Sequence, residues 1–203
     1  MPRGTRIAAL VVLAAIVLGA AYLLVTGTSA KGTHIVREAP IAYNLRYESP
    51  VREITPAPGE WLHLEGPNRE SMAVAPLELP AYEGDVGGAL PIVGARELEA
   101  LKQRFPDLEP VEEGKARINK VAGYSLAFRA DRKQRLYGRL VLLPRPASEA
   151  VASPQGETGG TRTGVKMLLL ATPAAGANKA SDVGARGPLK TPYRSFRFGT
   201  EGP

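Results

Sequence analysis

The sequence contains no cysteine, and this absence excludes several kinds of chemistry at once. A disulfide, a thiolate metal site, a cysteine nucleophile and a lipid-modified cysteine all require a thiol. Histidine is also scarce, with two residues in a chain of 203, and neither belongs to an HExxH zinc motif. The sequence has no GxSxG or SxxK motif to nominate a serine, and no GxxxxGK phosphate loop. We therefore predict no catalytic residue, no cofactor-binding or metal-binding residue, and a protein that is not an enzyme.

His63 keeps one catalytic alternative open. The chain order of the serine, histidine and acid in a catalytic triad differs between folds, so a triad needs no local motif. A membrane-anchored hydrolase that uses a serine, His63 and a carboxylate is therefore the alternative function. The other histidine, His34, lies in a segment that we predict to be a tether. The acidic residues Glu83, Asp85 and Glu109 lack the spacing of an EF-hand calcium loop, which favours solvated surface charge.

Residues 7–25 read IAALVVLAAIVLGAAYLLV and contain no charged side chain. An α-helix of that length extends about 28 Å, close to the roughly 30 Å hydrocarbon core of a bilayer. A buried helix of a globular domain usually keeps a polar stripe, which this run lacks. We predict a transmembrane helix over 7–26, in contact with the lipid bilayer through 7–25. Representative residues of this membrane anchor are Ile7, Leu10, Leu13, Val17, Tyr22 and Val25.

The residues that flank the run predict its orientation. Arg3 and Arg6 lie directly before it, whereas Lys31 is set back behind it, and positive residues favour the cytoplasmic side. We expect a cytoplasmic tail over 1–6 and an extracytoplasmic domain on a bacterial cell membrane. The alternative is a secreted form, because Thr28, Ser29 and Ala30 offer small residues for signal cleavage after Ala30.

The remainder of the chain has the size and composition of one folded domain of about 170 residues. We predict a tether over 27–40, a domain over 41–199 and a tail over 200–203. Residues 144–164 are polar and rich in Gly and Pro, which is typical of a flexible loop. The formal charge of +6 includes Arg3 and Arg6, so the domain is only mildly basic and does not indicate a nucleic-acid partner.

Apolar residues in this domain mostly alternate, as in strands that are buried on one face. In 41–47, Ile41, Tyr43, Leu45 and Tyr47 share a face. In 61–65, Leu62 and Leu64 face away from Trp61 and His63. The further predicted strands are 72–79, 116–121, 123–129, 136–143, 165–171 and 193–198.

Two segments have helical patterns. Residues 94–105 place Leu98, Leu101 and Phe105 on one stripe, and Pro106 ends the pattern. The Ala-rich stretch 174–185 predicts a weaker helix. A striped helix packs on a sheet face, so the predicted class is α+β: an antiparallel sheet with helices packed on it, an α/β/α sandwich, behind one transmembrane helix.

Five basic residues gather around one predicted hairpin. The ordinary interpretation is a charged turn that protects a sheet edge from pairing. The functional interpretation is contact with an anionic surface such as lipid headgroups or wall polymers. The residues are Arg129, Arg132, Lys133, Arg135 and Arg139.

The order of these elements resembles the PsbP-like α/β/α sandwich, a group that includes LpqN-type lipoproteins. The residues that carry the resemblance are Leu45 and Tyr47, Trp61, the Gly123-Tyr124 step, and Ser195-Phe196. The resemblance implies a non-enzymatic envelope or accessory module, covering about 41–199, whose partner is an unidentified envelope protein or an apolar ligand. The predicted function is accordingly a single-pass, membrane-anchored cell-envelope protein with a non-catalytic binding or accessory domain.

Overall fold

The alternating apolar residues form β-strands, as the sequence predicts. The computed structural model describes residues 32–80, 86–131, 134–146 and 162–201, and the fold is given for those ranges. In chain order the strands are β1 (Thr33–Arg37), β2 (Tyr43–Tyr47), β3 (Arg52–Ile54), β4 (Leu62–Glu65), β5 (Ser71–Leu79), β6 (Leu108–Ile118), β7 (Val121–Asp131), β8 (Arg135–Pro144), β9 (Arg162–Ala171) and β10 (Arg197–Phe198). The helices are α1 (Val86–Arg104) and α2 (Lys190–Ser195), with short 3-10 turns at Pro173–Ala175 and Ala180–Asp182.

The strands form two antiparallel sheets. The large sheet has seven strands in the order β3-β4-β5-β9-β8-β7-β6, and the small sheet has three in the order β1-β2-β10. Strands β8 and β9 lie in the middle of the large sheet and pair along most of their length. Their sequences are nearly continuous apolar runs, because both faces of a central strand are covered. The predicted pairing of 136–143 with 165–171 is thus confirmed.

The two faces of the large sheet bury separate parts of the core. On one face α1 packs through Leu90, Val93 and Leu98, a spacing that forms a single helical stripe. On the other face lie the small sheet, the 3-10 turns and α2. The residues buried there include Leu45 on β2 and Phe196 directly after α2. The described domain is therefore an α+β sandwich, as predicted.

The predicted transmembrane segment 7–26 lies outside the described residues, together with the tail 1–6. Most of the predicted loop 144–164, namely 147–161, also lies outside them. None of the helices within the described ranges has the length and apolar character needed to cross a bilayer.

The predicted tether 27–40 is wrong for residues 33–37, which form β1. All five residues of β1 pair with β2, but Ile35 alone is buried. A strand at the edge of a sheet with one inward apolar residue has almost no alternation to detect. A short strand, β3, similarly lies inside a segment that looked like a proline-rich loop.

The hairpin between β6 and β7 turns earlier than the sequence indicated. We predicted a break at Ala122 and Gly123, whereas the turn is at Asn119 and Lys120, which have φ angles of 44° and 74°. A two-residue hairpin turn with two positive φ angles is of type I′, for which asparagine is favoured. Strand β6 then runs back to Leu108. Most of its residues are exposed and many are charged, which conceals its strand character in the sequence.

Both helical predictions need correction. Helix α1 begins at Val86, eight residues before the predicted start at 94, and includes Pro91 without ending there. The Ala-rich stretch 174–185 forms no α-helix. It contains 3-10 turns instead, because Gly176 and Gly184 adopt left-handed φ angles of 86° and 75° that end a right-handed helix.

Gly138 in β8 leaves room for an aromatic ring on the neighbouring strand. It pairs with Phe128, and a Cβ atom added to Gly138 would lie 2.0 Å from Cζ of that ring. Phe128 is fully buried beneath α1 and tilts against Phe105 with ring centroids 6.2 Å apart. Any side chain at position 138 would displace this ring from the core.

We therefore predict that Gly138→Ala lowers the free energy of unfolding by about 1–3 kcal/mol, the usual cost of overpacking. Gly114→Ala is the matched control, because a Cβ atom at Gly114 would meet no atom within 4 Å. For this control we expect no loss, or a gain of up to about 1 kcal/mol. Urea unfolding followed by circular dichroism measures both, and equal effects of the two substitutions would contradict the role of Gly138.

Candidate functional site

Two arginines of the predicted basic cluster form salt bridges with neighbouring carboxylates. Arg129 pairs with Glu109 at 2.6 Å, and Arg135 pairs with Asp131 at 3.3 Å. Both pairs are exposed, so each adds little stability. Arg132 and Lys133 lie outside the described residues. Contact with an anionic surface stays a prediction for these four residues and for Arg139.

Arg139 has a structural role that the sequence does not reveal. It is half-buried on the face of the large sheet that packs against the 3-10 turns. Its Nη2 donates a hydrogen bond to the Ser181 carbonyl oxygen at 3.1 Å, and its buried Nε has no hydrogen-bond partner among the described residues. This guanidinium thereby connects the turn Ala180–Asp182 to β8.

His63 is oriented by a neighbouring carboxylate. Its Nδ1 lies 2.7 Å from Oε2 of Glu60, which also accepts a hydrogen bond from the backbone N–H of Ala57 at 3.1 Å. Both side chains are mostly buried. Among the described residues no serine or threonine hydroxyl makes a hydrogen bond to His63. The arrangement contains the base and the orienting acid of a triad, but no nucleophile from the described ranges contacts them.

Trp61 packs on the opposite side of the large sheet from His63, contrary to the prediction that they share a face. It lies just before β4 and joins the same core part as Leu62 and Leu64. Its ring stacks on Tyr43 at 6.3 Å between centroids, and Tyr43 stacks on Phe196 at 5.6 Å.

Phe198 then contacts Phe196 edge to face at 5.5 Å, which completes what we call the aromatic stack: Trp61, Tyr43, Phe196 and Phe198. These side chains come from the residue before β4, from β2 and from the carboxyl-terminal segment, so the stack joins the large sheet to the small one. Three of its members are buried, whereas Trp61 at its end is only half-buried. Tryptophan is enriched among the residues that contribute most to protein interfaces, which makes the exposed part of Trp61 a candidate binding surface.

The hydroxyl of Tyr43 lies in the core without a hydrogen-bond partner among the described residues. Burial raises the pKa of Tyr43 to about 12, because the tyrosinate would lose its hydration. Arg37, which pairs with Glu53 nearby, acts in the opposite direction on this pKa. Sequence alternation identified Tyr43 as a core residue, but it carried no signal for the unpaired hydroxyl.

A second tyrosine, Tyr124 beneath α1, has a hydrogen-bonded hydroxyl. It donates to Oε2 of Glu113 on β6 at 2.7 Å. Burial and this acceptor raise the pKa of Tyr124 to about 12.

The described residues contain no group of three or more side chains suited to hold a metal ion.

Comparison with known proteins shows a similarity of fold. No protein-family model and no curated protein sequence matches the chain. The chain is similar to the solution structure of cyanobacterial PsbP (CyanoP) from Synechocystis sp. PCC 6803, with a TM-score of 0.53, 12% identity, and coverage of 83% of this chain and 93% of that chain. The described domain therefore has a PsbP-like fold.

Two further solved structures are less similar. A Pseudomonas aeruginosa protein of unknown function, a putative regulator by its description, has a TM-score of 0.35 and 20% identity over 70% of this chain and 84% of that chain. The Saccharomyces cerevisiae Ran-binding protein Mog1p has a TM-score of 0.45 and 11% identity over 83% of this chain and 96% of that chain. Neither similarity supports an inference about this protein.

We predict that Tyr43→Phe raises the free energy of unfolding by about 1 kcal/mol, because phenylalanine keeps the stack and removes an unpaired buried hydroxyl. The pKa of Tyr43 is about 10 when the chain is unfolded and about 12 when it is folded, so the wild-type protein loses stability as pH rises from 10 to 12. The advantage of the variant should therefore grow over that range.

Urea unfolding at pH 7, 10 and 11.5 measures this difference. Tyr47→Phe, at a half-buried position on the same strand, is the control and should change stability by less than about 0.5 kcal/mol. A loss of stability in Tyr43→Phe at pH 7 would show that the hydroxyl has a stabilising partner.

Proposed function

We propose that the protein is a single-pass, membrane-anchored cell-envelope protein whose extracytoplasmic PsbP-like domain is a non-catalytic binding or accessory module. It would be of the LpqN type, with the apolar run at 7–25 in place of a lipid-modified cysteine. The observation that carries the binding role is the half-buried Trp61 at the end of the aromatic stack. The partner is an envelope protein or an apolar ligand that contacts Trp61.

The stack supports this role because its geometry is already formed. Tyr43 packs on one face of the indole and is itself held by Phe196, so little side-chain entropy is lost when a partner covers the remaining surface. Aromatic side chains that are rigid and partly exposed contribute strongly to binding. An apolar ligand or the apolar side chain of a partner protein matches this surface chemically.

The described part of the chain places no nucleophile beside His63, which favours binding over hydrolysis. A general base must lie within hydrogen-bonding reach of the hydroxyl that it activates. Glu60 makes a hydrogen bond with Nδ1 of His63, and no described hydroxyl group makes one with Nε2.

The anchor is tested on the full chain in its own membrane. We expect the protein to stay in the membrane fraction after alkaline carbonate washing, with an intact mass of 21.6 kDa. The double substitution Leu13→Arg/Val17→Arg should release it, because each arginine near the centre of a membrane helix costs about 3 kcal/mol of insertion. Ala30→Leu should leave the mass and the location unchanged. A wild-type protein that lacks residues 1–30, and whose cleavage is blocked by Ala30→Leu, would instead establish the secreted form.

The binding role is tested by photocrosslinking in membranes. A benzoylphenylalanine in place of Trp61 should yield one defined adduct, with a protein or with a lipid-like molecule that mass spectrometry identifies. The same residue in place of Gln103, which is exposed on α1, is the matched control and should not yield that adduct. Identical adduct patterns at both positions, or none at Trp61, would contradict the proposed surface.

The hydrolase alternative predicts labelling by a fluorophosphonate, which reacts with activated serines. We expect none. Labelling of the wild-type protein that is lost in His63→Gln would show that a serine, outside the described residues or brought in by a movement, completes a triad.

A further inference from the structure

Strand β6 forms a long edge of the large sheet. It pairs with β7 on one side, and no described strand or helix pairs with its other side. Val111 is 57% exposed, and Glu112, Glu113, Lys115 and Arg117 are also exposed. An uncovered edge of this kind offers backbone N–H and C=O groups to another strand.

The hairpin geometry shows which backbone groups face outward. Ile118 and Val121 close the two-residue turn, so they form a hydrogen-bonded pair, and the groups of every second residue along β6 then point to β7. By this alternation, the backbone groups of Gly114 and Ala116 form hydrogen bonds with β7. The N–H and C=O groups of Glu113 and Lys115 are directed to the open edge.

The charges along this edge are arranged so that β6 complements itself. Glu109, Glu112 and Glu113 precede Gly114, whereas Lys115 and Arg117 follow it. Lys115 and Arg117 form no salt bridge with other described residues. When two such strands meet antiparallel, the acidic half of each faces the basic half of the other. Opposite charges placed directly across a strand pair are stabilising, and like charges are destabilising.

The direction of the backbone groups and the order of the charges together determine the register of the two β6 strands. In an antiparallel pair of β6 strands, residues whose backbone groups point to the open edge must lie opposite each other. Only one register of this kind places Glu113 opposite Lys115 of a second copy. Its twofold axis then passes between the two Gly114 residues, in a pair without hydrogen bonds. A Cβ atom at Gly114 would meet nothing within 4 Å, so the space at the axis is open. The bulge between Pro110 and Glu112 limits regular pairing to residues 112–116 and their flanks.

We propose that β6 is a self-association surface through which a second copy of this chain adds to the large sheet. The two β6 strands lie antiparallel about an axis at Gly114. Two Glu113–Lys115 pairs, one on each side of the axis, set the register, and Arg117 lies diagonal to Glu113 of the other copy. The contact is small, so the dimer is in exchange with the monomer and depends on concentration and salt.

The test introduces one cysteine into a chain that natively has none. Gly114→Cys in the full-length protein, purified in mild detergent, introduces the sole thiol. Two copies of residue 114 would have Cα atoms about 4.5 Å apart, which lies within disulfide geometry. With diamide as the oxidant, we expect a disulfide-linked dimer that forms rapidly, slows at high salt and reverts with dithiothreitol.

Neighbouring positions are the matched controls, because they distinguish the proposed register from its alternatives. Glu113→Cys and Lys115→Cys should crosslink at least about fivefold more slowly, since these positions face each other only if the axis shifts by one residue. Faster crosslinking at either position than at 114 would overturn the register. No crosslinking at any of the three, with a monomer in analytical ultracentrifugation at all concentrations, would overturn the interface.

A charge reversal separates specific pairing from random collision. Added to Gly114→Cys, Lys115→Glu places two carboxylates opposite each other and should slow crosslinking at least about fivefold. Adding Glu113→Lys as well should restore the rate, although it removes the hydrogen bond from Tyr124. Rates that are insensitive to the first reversal would contradict the Glu113–Lys115 pairs.

Discussion

Burial of β8 and β9 on both faces is the constraint on which the rest of the domain depends. Two central strands with apolar side chains on each face need a cover above and below, or the sheet would expose its core to water. Helix α1 supplies one cover, and the small sheet with the carboxyl-terminal segment supplies the other. The middle of the sheet is thereby filled with packed side chains. The two surfaces that we propose for binding lie at its margins: Trp61 at the end of the aromatic stack, and the open edge of β6.

The second cover is held by side-chain hydrogen bonds between distant parts of the chain. Nδ2 of Asn119 donates to the carbonyl oxygens of Arg194 and Phe196, both at 2.7 Å. Ser195 bonds both backbone groups of Arg46 on β2 and so takes the place of a neighbouring strand residue. Buried Asn44 donates to the carbonyl oxygens of Gly199 and Glu201. These bonds position Phe196, which in turn orients Tyr43 and Trp61. The candidate binding surface therefore depends on the last residues of the described chain.

The sequence predicted the parts of the fold in which burial produces a regular pattern. Leu62, Leu64 and the central apolar runs were assigned correctly because inward and outward positions differ strongly in hydrophobicity. Strands β1 and β6 were missed or shortened because they lie at sheet edges, where most positions are exposed. The prediction of the side on which Trp61 packs was wrong. Trp61 precedes the regular strand β4, so the alternation of that strand does not determine the direction of its side chain.

The candidate sites were less predictable, because they arise from contacts across the fold. The sequence grouped Arg139 with its basic neighbours, but its hydrogen bond to Ser181 depends on a turn that approaches from a distant part of the chain. The Glu60–His63 pair and the stacking of Trp61 on Tyr43 likewise have no local sequence signal. The predicted anchor is the reverse case: the signal for it lies in the sequence of residues 7–25 itself, and the proposed function relies on that prediction.

The most direct test of the central claim, an anchored domain outside the cytoplasm, is the accessibility of a single introduced thiol. Gln103→Cys places this thiol on the exposed face of α1 in a chain without other cysteines. A membrane-impermeant maleimide should label the variant in intact cells, and the labelled protein should sediment with the membranes. Labelling that requires cell lysis would contradict the orientation, and labelled protein in the medium would contradict the anchor.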